Sequence, residues 1–349
     1  MSNSSVNVQT VNSYYAFIEK NIDRISSGLP PVTEEEAHAA LFRTINIGTK
    51  EFLYDLNTSN YKTNEEMLKS GKGILELQDL WTGKPCFLVA SGPSLRKNIH
   101  HLKKIQGIFP IFCVDAAYPI LMRAGIEPDL VFMIDTKDTQ AKFFDIPPTK
   151  AKLCAVSCSH MDSIKAWKGD IYFFNTFGSD EDHEIQLKYG QDFGSIGVGG
   201  NVSTALLWFA VTFSGSNKII FVGHDFSYPN IEMYYPEGGV RALIPRTKTT
   251  MMTWDIYGET VQTDFSLKSY KIWTEDTLKE LIHDLRMVDY DIVFINCTEG
   301  GTFGTTSSPG VLKDFLKYAT LESTINEVLW SAGNRDNRET DTLEQCVNS

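Results

Sequence analysis

The chain has 349 residues, enough for one large α/β domain with additions or for two domains, and its 42% hydrophobic content supplies a sizeable core. Its formal net charge of −12 argues against a duplex nucleic-acid partner, which needs a basic face, but leaves room for an anionic small ligand held by a few local donors. No charged start followed by an apolar core marks a signal peptide, and no apolar run reaches the length of a membrane span, so a cytoplasmic protein is expected.

Residues 1 to about 80 read as a helical cap or docking element without strands. Tyr15, Ile18, Ile22 and Ile25 recur at helical spacing, Pro30 and Pro31 break the pattern, and the acidic turn after Thr33 leads into Ala37 to Ile45. A weaker helix is expected over Glu65 to Leu75.

Residues 81–320 alternate strand and helix. Apolar strands are expected at 86–90, 109–114, 130–134, 152–157, 171–175, 218–223 and 291–297. Helices are expected at 94–105, 117–124, 201–214, 266–288 and 310–319. Such alternation indicates an α/β fold with a mostly parallel sheet covered on both faces. Residues 321–349 turn polar and charged, and their end is expected to fray.

The most informative stretch is 86–95, Cys-Phe-Leu-Val-Ala-Ser-Gly-Pro-Ser-Leu. A short apolar strand ends in Ser91, Gly92, Pro93 and Ser94, and Ser94 is placed to cap the helix that follows. A strand, a small-residue turn and a helix start can present bare N–H groups to a phosphate. A second glycine-rich turn, Gly-Ser-Ile-Gly-Val-Gly-Gly-Asn-Val-Ser-Thr at 194–204, precedes another helix. There Gly199 and Gly200 permit positive φ, and Asn201 or Ser203 can cap. Two such turns in one sheet fit a ligand with several anionic groups, such as a nucleotide.

Ligands of parallel sheets bind beyond the carboxyl ends of the strands, and that rule ranks the polar residues. Asp115, Asp135 and Asp225 end strands, and Glu299 follows the last one. Carboxylates on such a rim can hold ribose hydroxyls, take Mg²⁺ or act as a base, and the sequence leaves their division of labour open. Segment 226–265 is long for a connection and carries Tyr228, Tyr234, Tyr235, Arg241, Arg246 and Lys248 before a hairpin pattern at 254–263. It is expected to be a lid over the ligand. Of the six cysteines, Cys86, Cys113, Cys154 and Cys297 lie in apolar strands as reduced core thiols. Cys154, Cys158 and His160 lack the spacing of a usual zinc site, so no metal cluster is expected there.

The ordered motifs carry a resemblance. They are Gly-Lys-Pro-Cys-Phe-Leu-Val-Ala-Ser-Gly-Pro-Ser-Leu at 83–95, Val-Asp-Ala-Ala at 114–117, Ala-Gly-Ile-Glu-Pro-Asp-Leu-Val-Phe-Met-Ile-Asp at 124–135, Gly-Gly-Asn-Val-Ser-Thr-Ala at 199–205, Phe-Val-Gly-His-Asp-Phe-Ser-Tyr at 221–228 and Thr-Glu-Gly-Gly at 298–301. Together they resemble the motility-accessory-factor (Maf) and MptE-like family, with similarity to bacterial sialyltransferases that use CMP donors. The resemblance implies a Rossmann-like domain and a nucleotide-dependent transferase. Its lead reading is transfer of a sialic-acid-like (nonulosonic) sugar from a CMP donor to a protein or glycan acceptor. The alternative is a 6-hydroxymethylpterin pyrophosphokinase using ATP and Mg²⁺, with the ion on Asp115, Asp135 or Asp225. A nucleotide-binding module without turnover is the third reading. By resemblance, Ser91, Gly92, Pro93 and Ser94 meet the donor phosphate. Asn201 and Ser203, with Asp115, Gly199, Gly200 and Tyr228, lie beside the nucleotide. Asp225, Asp135 and Glu299 are the candidate catalytic carboxylates. The family pattern commonly has Gln where this chain has His224.

Overall fold

A computed structural model of the chain describes residues 24–28, 30, 53–177, 180–228, 250–287 and 292–347. The expected helices before residue 46, and Tyr234, Tyr235, Arg241, Arg246 and Lys248, lie outside the described residues, apart from a short helical turn at 24–26.

The centre is a parallel sheet built from β1 (Lys72–Gly73), β2 (Pro85–Val89), β3 (Ile111–Val114), β4 (Leu130–Met133), β5 (Lys152–Val156), β6 (Ile171–Thr176), β7 (Ser195–Ile196), β8 (Lys218–Val222), β11 (Val293–Asn296) and β12 (Lys317–Tyr318). Its order is β1-β6-β5-β4-β3-β2-β8-β11-β12, with β7 also pairing β6. The chain runs outward from β2 to β6, then returns and lays β8 on the other flank of β2. The β2–β8 junction is therefore the topological switch point, where the loops at the strand ends diverge and open a crevice.

All seven expected apolar runs form strands of this sheet. Their side chains are buried on both faces, as in Phe87, Leu88, Ile111, Phe112, Val131, Phe132, Ile219 and Phe221. Full burial of each large side chain contributes about 1.5–3 kcal/mol. The helix Val202–Thr212 covers one face, and its Phe209 ring lies 5.8 Å from Phe112 and 5.1 Å from Phe132.

Two expectations need correction. Residues 1–80 do contain a strand: β1 pairs with β6, so the stretch before residue 81 is part of the sheet. The helix expected at 310–319 is absent, because Lys317 and Tyr318 pair with β11 instead. The polar tail, whose end alone is expected to fray, is helical over Leu321–Val347. Its first turns are amphipathic, with Leu321, Ile325 and Val328 buried at helical spacing against the sheet domain.

The described part of the N-terminal region is a helix over 53–70 that docks through side-chain amides. Asn60 Nδ2 donates to the carbonyls of Thr136 and Cys158 at 2.8 and 2.9 Å, and Asn64 Nδ2 to those of Ser157 and Ser159 at 3.2 and 2.8 Å. One turn apart on the helix, the two amides satisfy carbonyls beyond the ends of β4 and β5. Asn60→Ala should leave two carbonyls bare and lower the unfolding free energy by about 1–3 kcal/mol in urea titration. An unchanged midpoint would mean that water replaces the amide at no cost.

Candidate functional site

The switch point holds a cavity of about 210 Å³. Its walls come from the ends of β2 (Ala90 to Pro93), β3 (Val114 to Ala116) and β8 (Gly223 to Tyr228), the start of the helix Val202–Thr212 (Asn201 to Ser203), and Leu267 and Tyr270 of the helix Phe265–Met287.

Asp225 joins two of these walls. Its Oδ2 accepts the Ser94 N–H at 2.9 Å and its Oδ1 accepts the Ser94 hydroxyl at 2.5 Å. Burial pushes the Asp225 carboxyl up to about 6, against the pull of the two Ser94 donors and the charges of Lys97 and Arg96. The Gly92 N–H donates to the Gly223 carbonyl at 2.9 Å. The turn thus spends two backbone donors on β8, and Pro93 has none. Ser94 has helical backbone angles and makes no side-chain cap, because its hydroxyl is given to Asp225. The helix expected at 94–105 is only Leu95–Asn98 followed by a 3₁₀ stretch, Ile99–Lys104. In the turn expected to meet a phosphate, the Gly92 and Ser94 N–H groups are thus committed within the protein; the turn shapes the cavity floor, and Gly92 is needed because a Cβ there would stand 2.2 Å from Asp225 Oδ1 and 2.3 Å from the Gly223 carbonyl oxygen.

The second glycine-rich turn does supply a helix start facing the cavity. Asn201 caps, its Oδ1 accepting the Thr204 N–H at 3.1 Å and the Ser203 hydroxyl at 2.8 Å. No side-chain cap reaches the N–H groups of Val202 and Ser203, and these residues line the cavity. Gly199 and Gly200 stand behind this wall, outside the cavity lining. A Cβ on Gly199 would lie 2.2 Å from the Trp273 indole and one on Gly200 2.8 Å from the Tyr270 ring. These glycines let aromatic side chains of the helix Phe265–Met287 close on the turn.

Asp115 lines the cavity and is 3% exposed. Its Oδ1 accepts the Ala116 N–H at 2.8 Å, while the buried Oδ2 has no partner among the described residues. Burial pushes its carboxyl up to about 7, countered by the Ala116 N–H and reinforced by the charge of Asp135. Tyr228 is buried in the wall, with its hydroxyl donating to Asp264.

Two candidate catalytic carboxylates fall elsewhere. Asp135 does not line the cavity: its oxygens accept the Lys137 N–H at 3.0 Å and the Gln140 amide at 2.7 Å, which makes it the turn former ahead of the 3₁₀ helix Asp138–Phe143. Glu299 is also outside the lining. It has φ 56°, and its Oε1 accepts Asn98 Nδ2 and the Leu321 N–H, both at 2.9 Å, so it ties down the start of the last helix.

The expected lid is corrected in part. Its described residues include the hairpin β9 (Met251–Trp254) and β10 (Thr260–Thr263). This hairpin is docked, with Tyr228 bridging Gln262 and the Thr263 hydroxyl donating to the Phe226 carbonyl at 2.9 Å. Residues 229–249 lie outside the described ones.

Sequence reasoning assigned no role to His224, Leu267 or Tyr270, all in the lining. A polar residue closing an apolar strand is the signal that could have marked His224. Among the described residues, no three His, Cys, Asp or Glu side chains gather as a metal site, and no helix is long and apolar enough to cross a membrane. An ion shared with substrate phosphates needs only one or two carboxylates.

Residues 58–231 match the family model described as 6-hydroxymethylpterin diphosphokinase MptE-like. Over these residues the chain belongs to the MptE-like family. The match spans β1 to β8 and nearly all of the cavity, leaving out only Leu267 and Tyr270. A comparison of the chain with curated proteins gives no match. Among solved structures, the Maf glycosyltransferase from Magnetospirillum magneticum AMB-1 is similar to the chain at a TM-score of 0.53 and 17% identity. The similarity covers 83% of this chain and 43% of that one, so the MptE-like chain spans less than half the length of that protein and shares its fold.

Proposed function

We propose that the chain is a nucleotide-dependent transferase whose donor binds in the switch-point cavity. The observation that carries this is the cavity's polarity. One wall offers N–H groups of Val202 and Ser203 at the start of an eleven-residue helix, where phosphate is stabilised. Another offers Asp115 at the end of β3, the place from which a carboxylate reaches a ribose or a reacting hydroxyl.

In the lead reading the donor is a CMP-activated nonulosonic sugar and the acceptor a protein or glycan hydroxyl. Asp115 has one oxygen fixed by Ala116 and the other bare, and its carboxyl titrates near neutrality, as a general base requires. It takes the acceptor proton while the acceptor oxygen attacks the anomeric carbon. The bond to the phosphate breaks, and the charge left on CMP faces the helix start. Asp225, each oxygen of which accepts a hydrogen bond from Ser94, positions the floor. The Maf glycosyltransferase fold supports this reading.

The family description supports a second reading, diphosphoryl transfer from ATP. Mg²⁺ would there neutralise phosphate charge, and Asp115 is the lining carboxylate with a bare oxygen to hold it. A thermal-shift panel of CMP, CTP, ATP, AMP and GTP, each with and without Mg²⁺, separates the two. Stabilisation by CMP without metal is expected, and a response confined to ATP with Mg²⁺ would establish the diphosphokinase instead. No shift with any of the five would remove both. A CMP response without transfer of any sugar would leave a binding module.

A further inference from the structure

His224 closes β8 at the switch point and is 3% exposed. Its ring packs against Phe221, Phe226 and Phe303, at centroid distances of 5.2, 6.4 and 6.2 Å. Nδ1 lies 3.1 Å from the Val222 carbonyl oxygen. That oxygen can only accept, so the proton sits on Nδ1. Burial pushes the imidazole down to about 4, which keeps the ring neutral near pH 7. Nε2 therefore carries a lone pair and no proton, is buried, and has no partner among the described residues.

A buried acceptor without a partner costs free energy that a bound donor group can recover. The other described orphan of this kind in the lining is Asp115 Oδ2, which the transferase reading already uses. We infer that His224 Nε2 is a ligand-binding acceptor that receives a hydrogen bond from a hydroxyl or amine of the nucleotide donor. Phosphate oxygens at neutral pH have no proton to give, so His224 marks the nucleoside end of the cavity and the start of the helix Val202–Thr212 the phosphate end. The inference rests on the nucleotide reading above.

The test is calorimetric titration of the full chain with CMP and with ATP plus Mg²⁺. His224→Phe keeps an aromatic ring among the three phenylalanines and removes the acceptor. It should weaken the nucleotide that the wild type binds by about 5–10-fold. His224→Gln, which retains an acceptor, should recover most of that loss. Wild-type affinity in a folded His224→Phe protein overturns the inference and leaves the transferase reading standing. Failure of the wild type to bind either nucleotide removes both. Should His224→Phe not fold, imidazole ¹⁵N spectra of the wild type decide: Nε2 should move upfield on adding the bound nucleotide, and an unmoved resonance overturns the inference.

Discussion

Asp115→Asn is expected to make the protein more stable at pH 8 while abolishing transfer. The folded chain holds Asp115 as a buried carboxyl with one oxygen unpartnered among the described residues, and its pKa is raised from 3.8 to about 7. A raised carboxyl pKa means that folding favours the protonated form. Its contribution is full below about 4 and is lost as the pH rises through 7, amounting to roughly 4 kcal/mol at most. Asp225, raised from 3.8 to about 6, adds a loss of the same sign between those values. His224, lowered from 6.5 to about 4, acts oppositely and is lost as the pH falls through that window. Wild-type stability should therefore decline from mildly acidic to mildly alkaline pH. Asparagine keeps an oxygen for the Ala116 N–H and removes the charge, at the cost of an amide without a partner, about 1–3 kcal/mol. A net gain of about 1–3 kcal/mol should remain at pH 8 and turn into a loss of about 1–3 kcal/mol near pH 4, where only the cost of the amide is left. Urea titrations of both proteins at the two pH values check this. A variant less stable than wild type at pH 8 would show that the bare oxygen is well solvated.

The second large effect is expected at Gly92. Alanine there places a methyl 2.2 Å from Asp225 Oδ1 and 2.3 Å from the Gly223 carbonyl oxygen. Neither neighbour can give way easily. Asp225 is held by Ser94, and Gly223 has φ +71° with its own Cβ position 2.4 Å from the Ala90 carbonyl oxygen, so no side chain fits there either. The strand ends must part, at about 1–3 kcal/mol or more, and the cavity floor parts with them. Gly92→Ala should lower the melting temperature and lose nucleotide binding together. Ser91→Ala, which adds no atom, should keep the melting temperature. An unaltered melting temperature in Gly92→Ala would mean that the Asp225 loop moves freely.

The sheet was legible in the sequence because seven of its strands are buried on both faces and read as plain apolar runs. The two-residue strands β1, β7 and β12 carry no period for a pattern to reveal. The helix Leu321–Val347 was hidden because its apolar positions are outnumbered by charges and amides, and only tertiary packing picks them out. The site was legible to the level of its rim. Asp115, Asp135, Asp225 and Glu299 all follow strands and rank alike along the chain. Strand order separates them: β3 and β8 flank β2, whereas β4 stands one place farther out. Glu299 is removed by a positive φ that turns it to the last helix. Gly92 belongs to the turn expected to meet the donor phosphate, and the space beside its Cα is taken by the protein's own Asp225.

The amide pair on the helix 53–70 bears on how this protein can be taken apart. Composition invites a cut near residue 81, yet such a cut removes β1 and strips donors from four carbonyls beyond the ends of β4 and β5. The N-terminal region is thus not an exchangeable module. Chimeras that seek new acceptors by swapping it should be joined upstream of Asn60, so that recombination leaves the sheet's own fastening intact.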